Sequence, residues 1–139
     1  MNTGLSYTST LLVSETQLAA HVGSGDLEVF ATPAMAALME NAAMMAVKNE
    51  LEEGQTTVGG HLNISHIKPT AEGQTVKATA TLTAIEGRKL TFRVIAEDEN
   101  GIIGEGEHLR FIVDKNKFMS KLKKIKVSFT LMPDRIIPI

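Results

Sequence analysis

One glutamate stands alone in an apolar run: Glu40 is the only ionisable side chain in AMAALMENAAMMAV, residues 34–47. If that run is a packed helix, withdrawal of water raises the carboxyl pKa toward the range of a general base or nucleophile. A structural ion pair would offset the same cost, so residue type alone leaves both roles open. His66 comes second. In HLNISH it shares strand parity with Leu62 and Ile64, so it faces the core if they do. Imidazole titrates near neutrality and can move a proton, although a single inward histidine is more often structural. His61 has the opposite parity and His21 falls in a loop, which reads both as solvated; His108 stays open. Thr32 is third. It precedes Pro33 at the head of the apolar run, where a hydroxyl caps free amides, and capping does not exclude catalysis. Eight helical residues put Thr32 and Glu40 about 12 Å apart, so a site using both needs a second copy of the chain or a folded-back loop. Gly59 and Gly60 allow a ligand to approach backbone amides that polarise a carbonyl oxygen, and a β-bulge would use the same two residues. No phosphate-binding loop, GxGxxG, GxSxG or metal-ligand grouping occurs, so neither a metal nor a bound cofactor is expected.

The elements that must hold these residues can be read from hydropathy. Leu5, Tyr7, Leu11 and Val13 share one parity, which predicts a half-buried first strand. After a loop over 21–31, Thr32-Pro33 opens a helix predicted over 33–52 and closed by Gly54. Its first four turns are apolar nearly all round, so something must wrap them. Residues 58–68 read as a strand. Val76, Ala78, Ala80, Leu82 and Ala84 alternate with Thr75, Lys77, Thr79, Thr81 and Thr83, a strand signature. Turns at Glu86-Gly87 and Asn100-Gly101 bracket the next strand, in which Leu90, Phe92, Val94 and Ala96 share a face. A last strand over 102–113 has Leu109, Phe111 and Val113 on one face. One strand, one long apolar helix and four antiparallel strands give an α+β domain: a curved five-stranded antiparallel sheet wrapped around one central helix, the hotdog fold. Uncovered sheet edges and helix surface predict a homodimer, or a tetramer built from it.

The chain has 139 residues, enough for one domain, here placed at 1–124 with a tail at 125–139 whose structure the sequence does not define. A formal charge of −2 gives no general attraction for nucleic acid. The absence of cysteine suits a reducing, cytoplasmic setting. No secretory signal is visible, and the apolar run falls short of the roughly 20 residues of a membrane span. Lys115, Lys117, Lys121, Lys123, Lys124 and Lys126 form a basic segment around Phe118, expected to be a short helix.

VFATPAMAALMENAA, residues 29–43, resembles the helix motif of the fluoroacetyl-CoA thioesterase-like hotdog family, in which a Thr opens the helix and a Glu follows eight residues on. VGGHLNISHIKPTAEGQTV, residues 58–76, is similar to the segment carrying that family's Gly and active-site His. IEGRKLTFRVIAED and GEGEHLRFIV resemble the next two strands, with an arginine that is Arg110 here. The resemblance is colinear over about residues 10–122. It implies a catalytic group of Thr32, Glu40 and His66, with Gly59 and Arg110 on the substrate side; Gly60 joins the substrate-side residues on the glycine-pair reading alone. The implied reaction is hydrolysis of a small acyl-CoA thioester to acid and CoA, with coenzyme A as part of the substrate and no cofactor. Two alternatives use the same pocket: dehydration of a 3-hydroxyacyl thioester, and acyl-CoA binding without turnover. The basic segment, or Arg88 and Lys89, would then hold CoA phosphates, although a solvated basic face has the same composition. Upstream of the helix, HVGSGDLEVF departs from the aromatic gate of the family's fluoroacetate-resistance enzyme, since Gly23 and Asp26 cannot form it.

Overall fold

The computed structural model describes residues 1–131. Strand β1 (Ser6–Leu12) leads through a 3-10 turn at Glu15–Gln17 to the one-turn helix α1 (Ala19–Val22). Helix α2 (Thr32–Val47) follows, then strands β2 (Gln55–His66), β3 (Thr75–Glu86), β4 (Lys89–Asp98) and β5 (Gly101–Asp114), and helix α3 (Lys115–Leu131). The five strands make one antiparallel sheet in the order β1-β3-β4-β5-β2, so β1 and β2 are its edges.

Alternation in the sequence sets the core. Val76, Ala78, Ala80 and Leu82 of β3 and Leu90, Phe92, Val94 and Ala96 of β4 are all buried. They meet Met35, Met39, Ala42, Ala43 and Val47, which recur every three to four residues along one face of α2. Each large side chain fully withdrawn from water there contributes about 1.5–3 kcal/mol. The small alanines of β3 and α2 let the helix lie close to the sheet. Wrapping is one-sided: Ala37 stays exposed, and Ala36, Leu38, Met44 and Met45 are only half-buried.

Helix α2 differs from its predicted form at both ends. Thr32 is not the cap: Ala31 occupies the extended N-cap position, and no side chain caps the helix. Its C-terminus comes at Val47 rather than residue 52, because Lys48–Glu50 tighten into a 3-10 turn. Gly54, at φ 85°, makes the left-handed turn into β2 instead of closing the helix.

A β-bulge in β2 orients the residues of interest. Gly59 pairs with Arg110 and His61 with Leu109, which leaves Gly60 as the extra residue. The insertion reverses side-chain parity, so Thr57 and Gly59 face α2 before it and Leu62, Ile64 and His66 after it. On β5 the inward residues are His108 and Arg110, both buried, while Phe111 is exposed on the other face with Leu109 and Val113 beside the same surface. Helix α3 runs through the expected domain boundary at 124, and the remainder of the tail at 132–139 lies outside the described residues. No helix among the described residues is long and apolar enough to cross a membrane.

Candidate active site

The structure gathers the sequence-predicted residues into two clusters on α2. At its N-terminus, Thr32 Oγ1 and His66 Nδ1 share a 2.7 Å hydrogen bond, which explains why the hydroxyl does not cap. Phe30 meets the His66 ring edge-on, with centroids 6.3 Å apart and planes at 78°. His66 Nε2 is buried and has no hydrogen-bond partner among the described residues. Burial pushes the His66 imidazole below its ordinary value, and the Lys68 backbone partly opposes this. The imidazole is therefore neutral at pH 7, able to exchange a proton with the threonine hydroxyl. Both residues line an open cavity of about 320 Å³, together with Val29, Phe30, Ile67 and Lys68. That volume lies at the small end of ligand pockets.

Two turns along α2, Glu40 leans over the inner face of the sheet. A β-carbon built on Gly59 would lie 2.9 Å from Glu40 Oε2, 3.3 Å from His108 Cε1 and 3.5 Å from Arg110 Nη1. Only a glycine leaves this space to the carboxylate. Arg110 donates from Nε to Thr57 Oγ1 at 2.8 Å, from Nη2 to the Thr57 carbonyl at 2.9 Å and from Nη1 to His108 Nε2 at 3.1 Å. Burial lowers the Arg110 pKa and the Glu40 charge opposes that. Glu40 itself is half-buried, not fully desolvated as the apolar run suggested. A long flexible side chain near an open helix face keeps some contact with water.

Thr57 and His108 belong to this cluster and were not singled out by sequence. A usable signal existed for His108, which lies two residues from Arg110 and so shares its side of the strand. Gly60 is not brought to the carboxylate: the Phe111 ring occupies the position its β-carbon would take, so this glycine accommodates packing at the bulge. His21 and His61 side chains are exposed, as expected. Arg88, Lys117 and Lys121 converge on a cleft of about 290 Å³, but Glu52, Glu53 and Asp114 line it too. That mixture of charges weakens any attraction for phosphate.

Substituting Gly59 tests the close approach. In Gly59→Ala the methyl meets the mobile end of Glu40, so the fold should survive while the carboxylate is displaced. A shift of this kind can lower turnover by about 10²-fold. Unchanged kcat in a folded Gly59→Ala protein would separate Glu40 placement from catalysis.

A five-stranded antiparallel sheet over one central helix, with a threonine-histidine pair and a glutamate on that helix, defines a hotdog-fold protein of the thioesterase class. The chain belongs to the fluoroacetyl-CoA-specific thioesterase family, whose sequence profile matches residues 13–116. It is 40% identical over 97 residues to the fluoroacetyl-CoA thioesterase of Streptantibioticus cattleyicolor, which covers 70% of either chain. A solved structure of the fluoroacetyl-CoA thioesterase FlK superposes with a TM-score of 0.84 at 34% identity, covering 89% of this chain and 96% of that one. A thioesterase superfamily member from Thermus thermophilus superposes with a TM-score of 0.87 at 25% identity, covering 94% and 96%.

Proposed function

We propose that this chain hydrolyses small acyl-CoA thioesters, with Thr32, Glu40 and His66 as the catalytic group and Gly59 and Arg110 at the thioester end. The observation that carries this reading is the 2.7 Å Thr32–His66 hydrogen bond at the mouth of a small cavity, on the helix that also bears Glu40. Glu40 acts as base toward water or as nucleophile through a transient anhydride. In the first route it takes a proton from water, whose oxygen bonds to the carbonyl carbon. The Gly59 amide polarises the carbonyl oxygen. The tetrahedral intermediate then breaks its C–S bond and CoA leaves as thiolate, which takes up the proton that Glu40 removed from water, while the Thr32 hydroxyl, oriented by His66, donates a hydrogen bond to the departing sulfur.

Within one chain the two clusters are about 12 Å apart along α2, too far for one thioester carbonyl to touch both. A homodimer resolves this. Strand β2 is a 12-residue edge with a free outer side among the described residues, and α2 keeps apolar surface beside it. Twofold pairing along that edge would bring Thr32 and His66 of one copy toward Glu40 and Gly59 of the other. Gly23 and Asp26 supply no aromatic ring upstream of the helix, which supports a general or different small acyl group as readily as fluoroacetyl.

A panel of acyl-CoAs from acetyl to medium chain, with a 3-hydroxyacyl-CoA included, assayed by free-thiol detection and by enoyl absorbance, separates the readings. Thiol release on the short members is the expected result. An enoyl absorbance change without thiol would favour dehydration, and saturable binding without either would favour a binding domain.

A further inference from the structure

We propose that His108, held as its neutral Nδ1–H tautomer, is a positioning residue that aims the Arg110 guanidinium at the Glu40–Gly59 site. This rests on the thioesterase reading above, but its geometry stands apart from it. His108 is 1% exposed, and each ring nitrogen has one partner. Nδ1 lies 2.7 Å from the His61 carbonyl, which can only accept, so Nδ1 carries a hydrogen. Nε2 lies 3.1 Å from Arg110 Nη1, which can only donate, so Nε2 carries a lone pair. Only one tautomer of the uncharged ring satisfies both.

The guanidinium is thereby held at three corners. Thr57 takes Nε and Nη2 through its hydroxyl and carbonyl, and His108 takes Nη1. Nη1 is also the atom near the open space at Gly59, where Glu40 Oε2 stands. Yet the two charges do not collapse together: among the described residues the ion pair within 4.0 Å is Arg93–Glu105, not Arg110–Glu40. His108 thus keeps the cation near the carboxylate, where it supports the charge without capturing it. Removal of the acceptor would free Nη1 to pair with Glu40 and draw the carboxylate away from the Gly59 amide.

The charged groups facing His108 are Arg110 on its own strand and Glu40 from α2; the titratable His61 of β2 presents its carbonyl while its side chain is exposed, and Phe92 of β4 packs against the ring without charge. Burial is the largest influence and lowers its pKa; the His61 carbonyl opposes this, Arg110 adds to it, and Glu40 opposes it. The balance preserves the acceptor at neutral pH. Acidification would protonate Nε2, break the bond from Arg110 and set two cations side by side.

Two variants and one spectrum test the assignment. His108→Leu removes the acceptor and should lower kcat about 10- to 100-fold, the scale seen when an outer residue that orients a reactive group is lost, with KM little changed. His108→Gln restores an acceptor and should retain most of the turnover, and should keep it further into acid than the wild type. Long-range proton–nitrogen NMR of the labelled wild type near pH 7 should show hydrogen on Nδ1 and none on Nε2 of His108. The Arg110 Nη1 proton signals should keep their wild-type positions in His108→Gln and lose them in His108→Leu, while the Nε–H bond to Thr57 is unaffected. Hydrogen on Nε2, or wild-type kcat in folded His108→Leu, would overturn the proposal. Should His108→Leu fail to fold, a His108→Gln protein that loses turnover and the wild-type Arg110 Nη1 positions overturns it equally. If the wild type releases thiol from no acyl-CoA, the thioesterase reading fails, and the NMR arm still decides whether His108 holds the guanidinium.

Discussion

Glu40→Gln is expected to lower kcat for acyl-CoA hydrolysis by about 10²-fold or more, the scale of a lost general base, with the melting temperature little changed. Glutamine keeps the shape of the side chain and its hydrogen-bonding capacity but loses the charge and the basicity. The position tolerates the change because Glu40 is half-buried and makes no ion pair within 4.0 Å among the described residues. A structural carboxylate would behave oppositely, with stability lost and turnover per folded molecule retained. Steady-state thiol release beside a thermal melt distinguishes the two. Near-wild-type kcat would move the chemistry to Thr32 and His66 alone.

His66→Ala is expected to cost a comparable 10²-fold or so in kcat/KM, since it removes the partner of the Thr32 hydroxyl. The accompanying pH profile has a sign fixed by burial. Burial depresses the imidazole below its ordinary 6.5, so the neutral form is already dominant at that pH. Wild-type kcat/KM should therefore hold from neutrality down past 6.5 and fall only on further acidification. Stability moves in the same direction. As pH falls through 6.5 the unfolded chain takes up the proton before the folded one, so stability is lost from there until the folded-state imidazole also protonates. His108, depressed likewise, adds to that loss. A melting temperature that rises on acidification through this window would contradict the burial of both rings.

Much of the fold was legible because its strands have one wet and one dry face. The Thr/Ala alternation of β3 and the spacing of Leu90, Phe92, Val94 and Ala96 in β4 fixed burial, and the two turns fixed the neighbours β3-β4 and β4-β5, whereas the pairing of β2 with β5 has no local signal. Thr32, Glu40 and His66 were each visible as polar residues out of place, and the helical rise already separated Thr32 from Glu40. Other features depend on tertiary context. The Thr32 hydroxyl reads as a cap until a histidine from another element claims it. Thr57 looks like an ordinary polar strand residue, since parity counted along β2 is reversed at Gly60 and the Gly59-Gly60 pair suits a ligand approach as well as a bulge; His108, on β5, reads as inward only once Arg110 does. The end of α2 slipped because Lys48–Glu50 suit a helix by composition but tighten into a 3-10 turn.

Mixing two inactive subunits tests the whole arrangement. Thr32→Ala and Glu40→Gln chains, each nearly inert alone, would be co-refolded in equal amounts and assayed for thiol release from a short acyl-CoA. If each site takes Thr32 and His66 from one copy and Glu40 from the other, half of the dimers carry one intact site, and activity should return to about one quarter of wild type. No recovery in a mixture shown to exchange subunits would contradict a site shared between copies.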